Sequence, residues 1–258
     1  MTDLLWRSGF ILAVGSLILV LHRWIGIYPP ALPGSERPGR DVQAALILWG
    51  VAVIVPVLML VFITPALDRA VTNRTLNQLL QVPLRSIPYV LIPLFLLIRQ
   101  RGWTTTDLGL SLKNKSRSVT FFAILVGLGT GAISYLTGRS NISIQVLGWG
   151  ELLLLVYNNS FLEEFYHRGV IQSLLERAVG QRTAILWGGV LFGLTHVVFD
   201  VSALMETGIL AVLSAILLQT MAGWLFGIIY MKTRSLWPGI GCHYLANWLP
   251  SILVGLAG

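Results

Sequence analysis

From Val42 to Thr64 the chain carries no charged residue, and about 20 consecutive apolar residues suffice for a helix to cross a bilayer. Comparable runs recur along the whole sequence, at residues 9–21, 87–98, 119–136, 147–178, 183–199, 209–231 and 236–256. The expected fold is therefore an all-α polytopic membrane protein with about eight transmembrane helices in one bundle. Composition agrees. Of 258 residues, 55% are hydrophobic and 11% charged, against about 25% charged in soluble globular chains. The apolar runs leave no soluble stretch of domain size, so residues 1–258 read as a single transmembrane domain.

The net charge of +7 could signal nucleic acid. No basic patch interleaved with exposed aromatics accompanies it, so nucleic acid is set aside as a partner. In a membrane chain, basic loops record topology and contact with anionic lipid head groups. With the spans above, the loop arginines and lysines favour the connections after the first, third, fifth and seventh spans, which puts both termini outside. Arg139, Asp200 and Glu206 fall on the other side in this count. Arg7 before the first apolar run resembles the start of a signal peptide. No small-residue cleavage site follows, and His22-Arg23-Trp24 reads as an interfacial anchor, so an uncleaved first span is expected. The one cysteine, Cys242, precludes an intramolecular disulfide.

Two local features modify the span pattern. Pro56 should kink the second span. Residues 68–82 mix Leu76, Leu79 and Leu80 with Arg69, Arg74 and Asn77, which predicts an interfacial helix ahead of a short third span. Gly127, Gly129 and Gly131 form a nucleotide-like glycine pattern, but no strand precedes it. Close helix packing is the expected role, as it is for Gly223 and Gly227.

Chemistry concentrates in three late spans. Glu163, Glu164, His167 and Arg168 lie within six positions; His196 follows on the next span; His243 and Asn247 lie on the last. An ionised side chain near the bilayer centre costs at least about 2.5–3.5 kcal/mol on insertion scales, so such a cluster needs a purpose. Residues four apart share a helix face, which joins Glu164 to Arg168 and His243 to Asn247. Glu163 and Glu164 point about 100° apart. One can face a cavity while the other pairs with Arg168. The set suits hydrolysis: a carboxylate takes a proton from water, a histidine positions that water, and His243 with Asn247 stabilise the oxyanion. Glu163, His196, His243 and Asn247 should then converge on one water-accessible cavity. Three other readings remain open: buried histidines that only tie helices together, a zinc site of Glu163, His196 and His243, and a metal or proton transporter.

Glu163 to Arg168 reads as EExxxR, Phe192 to His196 as FxxxH, and His243 to Asn247 as HxxxN. This ordered trio resembles the CPBP (ABI) family of CAAX-type prenyl-protein endopeptidases and bacteriocin-processing or immunity proteins, with residues 119–258 as the matching catalytic core. The resemblance implies a multi-pass intramembrane endopeptidase in the cell membrane. Glu163 would activate water, with His196 sharing it, and His243 and Asn247 would form the oxyanion hole. Glu164 and Arg168 would support them; His167 falls at a variable position. The implied partners are membrane lipids and a peptide or protein substrate, lipidated in part of the family. No cofactor is expected, while zinc stays open. A non-catalytic immunity or scaffold protein with the same fold is the alternative of another class.

Overall fold

The computed structural model describes residues 2–113, 115–137, 149–200 and 208–257. Arg139 and Glu206, used above for orientation, lie outside them. The described residues form helices α1 (Thr2–Trp24), α2 (Pro38–Ala70), α3 (Thr75–Gln100), α4 (Arg117–Leu136), α5 (149–179), α6 (Gln181–Thr195), α7 (Ile209–Thr233) and α8 (Trp237–Ala257). A turn at His196 separates α6 from a short continuation, Val197–Asp200. Among the described residues, five helical stretches are long and apolar enough to cross a membrane. The protein is thus polytopic and all-α among the described residues.

Local chemistry sets the helix ends. Ser116 accepts a hydrogen bond from the Val119 N–H, and Asn73 accepts one from the Leu76 N–H, each satisfying an orphan donor at a helix start. Arg234 closes α7 in the left-handed conformation (φ 53°). The end of α1 is capped from a distance. Lys232 Nζ lies 2.7, 3.1, 2.8 and 2.9 Å from the carbonyl oxygens of Leu21, His22, Ile25 and Gly26. A cation at these carbonyls also opposes the negative end of the α1 dipole.

One sequence expectation is corrected. Residues 68–82 do not form a separate helix: 68–70 end α2, and 74–86 are the first half of α3, which runs on through Pro83, Pro88 and Pro93. Wide turns at Ile87–Leu91 and Phe95–Gln100 accommodate the prolines without ending the helix. A similar turn at Met59–Ile63 follows Pro56 in α2.

Packing builds around α5 and α7. The second half of α5 buries Phe165, Tyr166, Val170, Ile171 and Leu174 against α2 and α3, while α7 packs between α1, α4 and α6. Glycines allow the closest approaches. A Cβ on Gly127 would stand 2.7 Å from the Cys242 carbonyl, and one on Gly131 2.6 Å from that of Leu245. Gly129 faces open space instead. Gly223 meets Gly189 across α7 and α6, where a Cβ would be 2.7 Å from the opposite Cα. Without hydrophobic drive between helices in lipid, such backbone-to-backbone contact is a main source of attraction. It also places His243 in α8 and Phe226 in α7 at fixed depth.

The connections after α1, α3, α5 and α7 gather at one end. The Ser35 N–H donates to the Arg177 carbonyl and the Lys115 N–H to that of Thr233, both at 2.9 Å. Arg177 pairs with Asp107 at 2.9 Å, and Arg234 with Glu176 at 2.6 Å. Alternating membrane crossings require this grouping of loops.

Candidate active site

α5 is wound wide on both sides of its two glutamates. The turns at Val156–Phe161 and Phe165–Gln172 bond i to i+5, as in the Leu162 N–H to Tyr157 carbonyl contact. Such turns are rare and concentrate at functional sites. Between them, Glu163 and Glu164 point to different neighbours.

Glu164 is sealed in, at 1% exposure. Its Oε2 lies 3.3 Å from Arg168 Nε, and its Oε1 lies 3.0 Å from His243 Nδ1. Gly239 lets α8 come this near, since a Cβ there would sit 3.3 Å from Oε2. Arg168 is held over the Phe192 ring at 4.1 Å and faces Phe226 at 5.3 Å. Its Nη2 donates to the Gly223 carbonyl at 3.4 Å. A buried guanidinium without a partner would be strongly destabilising, and here it is surrounded by a carboxylate, a carbonyl and two ring faces.

Glu163 is half-open. Oε1 accepts from Asn159 Nδ2 at 3.0 Å. Oε2 faces two imidazoles, His196 Nε2 at 3.8 Å and His243 Nε2 at 3.9 Å. Each ring is fixed by its other nitrogen: His196 Nδ1 lies 2.9 Å from the Phe192 carbonyl, and His243 Nδ1 meets Glu164. Carbonyls and carboxylates accept, so both Nδ1 atoms carry the proton. A neutral ring then presents a lone pair at Nε2. His243 also stacks on Phe226, centroids 5.1 Å apart. Two oriented nitrogens and one carboxylate oxygen therefore surround a common point.

A cavity of about 280 Å³ opens at Glu163 and His196, walled by Val55 and Met59 of α2 and by Arg85 and Tyr89 of α3. The expected convergence of four residues on this cavity holds only in part. His243 is buried and reaches Glu163 Oε2 without lining the cavity. Asn247 is exposed and touches the group indirectly, its Nδ2 donating to Asn159 Oδ1 at 3.4 Å.

Three residues escaped sequence reasoning, Asn159, Arg85 and Tyr89, and His167 was seen but set aside as a variable position of the motif. Asn159 had a signal, since it stands four before Glu163 and hence on its face. His167 is buried on the cavity wall against Phe192, ring centroids 5.0 Å apart. Arg85 and Tyr89 come from a helix whose place beside the site no spacing rule reveals. Among the described residues, no group of three His, Cys, Asp or Glu side chains is placed to hold a metal ion.

Fold and site define a class, a polytopic helical membrane protein with an acid–histidine centre at a cavity. Residues 145–249 match the family described as Rce1-like, type II CAAX prenyl endopeptidase Rce1-like. The match spans all three motifs and supports, at the level of family, the resemblance to the CPBP/CAAX proteases, that is, to a CAAX-type intramembrane protease. No curated relative and no solved structure matches.

Proposed function

We propose that the protein is an intramembrane endopeptidase in which Glu163 activates water to hydrolyse a peptide bond in a membrane-associated peptide or protein. The observation that carries the reading is Glu163 Oε2, set 3.8 and 3.9 Å from the two imidazole Nε2 atoms. Those gaps are too long for direct hydrogen bonds and suit an oxygen shared among the three groups. The carboxylate removes a proton from the water as it attacks the scissile carbonyl. His196, its Nδ1–H fixed on Phe192, accepts a hydrogen bond from the same water and keeps it aimed. The negative charge then grows on the carbonyl oxygen. The side chain of Asn247, bonded to Asn159 Oδ1, turns its amide to that oxygen; a protonated His243 donates beside it. The proton held by Glu163 passes to the leaving amine, which completes the cleavage. Glu164 and Arg168 position His243 and touch no substrate.

The family description names prenyl endopeptidases; a lipidated substrate is accordingly part of the proposal, with the lipid in the bilayer and the peptide entering the cavity. The test is purified protein in liposomes, offered prenylated and unprenylated membrane peptides, with products mapped by mass spectrometry with and without chelator. Cleavage that survives chelation supports glutamate-activated water. Zinc-dependent cleavage, lost on chelation and restored by zinc, replaces it with a metal mechanism on the same three groups. No cleavage of any peptide, with the immunity or scaffold role intact in cells, overturns the enzyme reading.

A further inference from the structure

On the α5 wall of the cavity, three buried polar atoms have no hydrogen-bond partner among the described residues: Asn158 Oδ1, Glu163 Oε2 and His167 Nδ1. The proposed chemistry uses the second and leaves the other two. His167 is 5% exposed, and the rings of Tyr166 and Phe192 meet its ring edge-on, with centroids 6.0 and 5.0 Å away. Those contacts fix the plane of the imidazole. Buried polar atoms are almost always paired, and polar residues inside a membrane-length helix are retained for a use. Fastening α5 to α7 falls to other side chains. Arg168 reaches the Gly223 carbonyl, Gln172 Nε2 donates to the Gly227 carbonyl at 3.1 Å, and Ser173 Oγ lies 2.8 Å from the Tyr230 hydroxyl.

The winding of α5 sets the three residues in a row. In a regular α-helix, residues five apart stand about 140° from one another. The i to i+5 turn at Val156–Phe161 brings Asn158 round toward the side of Glu163. His167, four positions on, shares that side. Glu163 thus has one unpaired polar atom before it along the helix and one after it. Asn158 and His167 are nine positions apart, at most about 13 Å of helical rise and the length of about four residues of extended chain. Across the cavity, Val55 and Met59 of α2 present apolar surface, which takes side chains but no backbone groups.

We propose that Asn158 and His167 are specificity-determining residues that hold the substrate backbone as an extended strand across Glu163. An extended peptide offers N–H and C=O groups along its edge, whereas a helix has bonded them internally. Asn158 Oδ1 accepts a substrate N–H on one side of the scissile bond. His167 Nδ1 meets a peptide group on the other side, donating to its carbonyl as N–H or accepting its N–H as a bare nitrogen. The peptide bond midway between these contacts reaches Glu163. The assignment rests on the protease reading of Glu163 and deepens it. The substrate class becomes a membrane peptide with an unwound stretch of about four residues, and a segment that stays helical through the cavity is rejected.

The test uses the full-length protein in detergent, carrying Glu163→Gln so that the probe stays whole. The probe is acetyl-Leu-Val-Ala-Ala-Val-Leu-amide, with a series in which each backbone amide in turn is replaced by an ester. An ester lacks the N–H and is the weaker acceptor, so it registers either kind of contact. Binding is measured by calorimetry. Two esters, set roughly three or four residues apart, should each weaken binding about 2- to 10-fold, the net worth of one hydrogen bond. Asn158→Leu should cancel the loss at one position and His167→Phe at the other, while His167→Gln, which keeps a polar group, should retain part of it. A merely structural role would weaken amide and ester probes alike, and unchanged ratios in both variants overturn the proposal. So does a flat scan in the protein that keeps both residues, whether or not the variants fold, and so does failure of the probe to bind. Cleavage of the same probe by the wild type is read separately. Cleavage with a flat scan removes the backbone contacts and leaves the protease, whereas a two-position scan without cleavage does the reverse.

Discussion

Around Glu164 the protein is closed. α4, α6, α7 and α8 meet there through glycine contacts, and the carboxylate, Arg168 and His243 are each at most 6% exposed. Around Glu163, one residue earlier, α2 and α3 stand back and a cavity reaches the side chain. The residue type is the same and the positions are adjacent, yet a rotation of about 100° changes the neighbours, with His243 alone facing both carboxylates. The closed side fixes geometry by enclosing its charges, with Glu164 set between Arg168 and His243. The open side leaves a carboxylate oxygen and two imidazole nitrogens aimed at the same point. Stability should therefore depend on the first region, and turnover on the second.

The sharpest way to break this contrast is Arg168→Ala. Removing one partner of a buried ion pair costs about 3–5 kcal/mol, so folded yield, melting temperature and activity should all fall together. If turnover alone fell, with melting unchanged, Arg168 would belong to the open side. Gly131→Val should come next, since its side chain would meet the Leu245 carbonyl and Leu249. Overpacking of this kind costs about 1–3 kcal/mol, read as a lowered melting temperature in detergent. Asn159→Ala probes the open side. It removes the hydrogen bond to Glu163 and the link to Asn247, and should lower kcat/KM by about 10- to 100-fold with the melting temperature nearly unchanged. Gly129→Ala is the smallest. Nothing lies within 4 Å of the added methyl, so stability should be unchanged or rise by less than about 1 kcal/mol.

The contrast was half legible in the sequence. The i,i+4 rule joined Glu164 to Arg168, and the 100° step separated Glu163 from it, because helix geometry alone decides both. The helical, membrane-spanning fold followed from the apolar runs. Asn77 misled the reading, and Gln81, four residues on, was not read at all. Polar residues four apart look alike whether they face water or one another, and here they are buried in a hydrogen-bonded ladder between Asp68 and Arg85. The wide turns of α5 had no signal, and those of α3 none beyond prolines. Tertiary placement also decided Asn247, whose exposed position at Asn159 cannot be inferred from its sharing a face with His243. Arg85 and Tyr89 were invisible for the same reason: which helix walls a cavity depends on packing between segments distant in sequence.

The central claim is that Glu163 is the base and Glu164 its structural neighbour, and a matched pair of variants tests it most directly. Glu163→Gln and Glu164→Gln are each nearly isosteric. Both are purified and measured for thermal unfolding and for cleavage of a membrane peptide in liposomes. Glu163→Gln should melt like the wild type and lose at least about 10²- to 10⁴-fold in cleavage rate, the usual worth of a general base. Glu164→Gln should melt lower, because Arg168 and His243 lose their shared carboxylate. Cleavage retained by the Glu163→Gln protein at wild-type melting temperature would contradict the account.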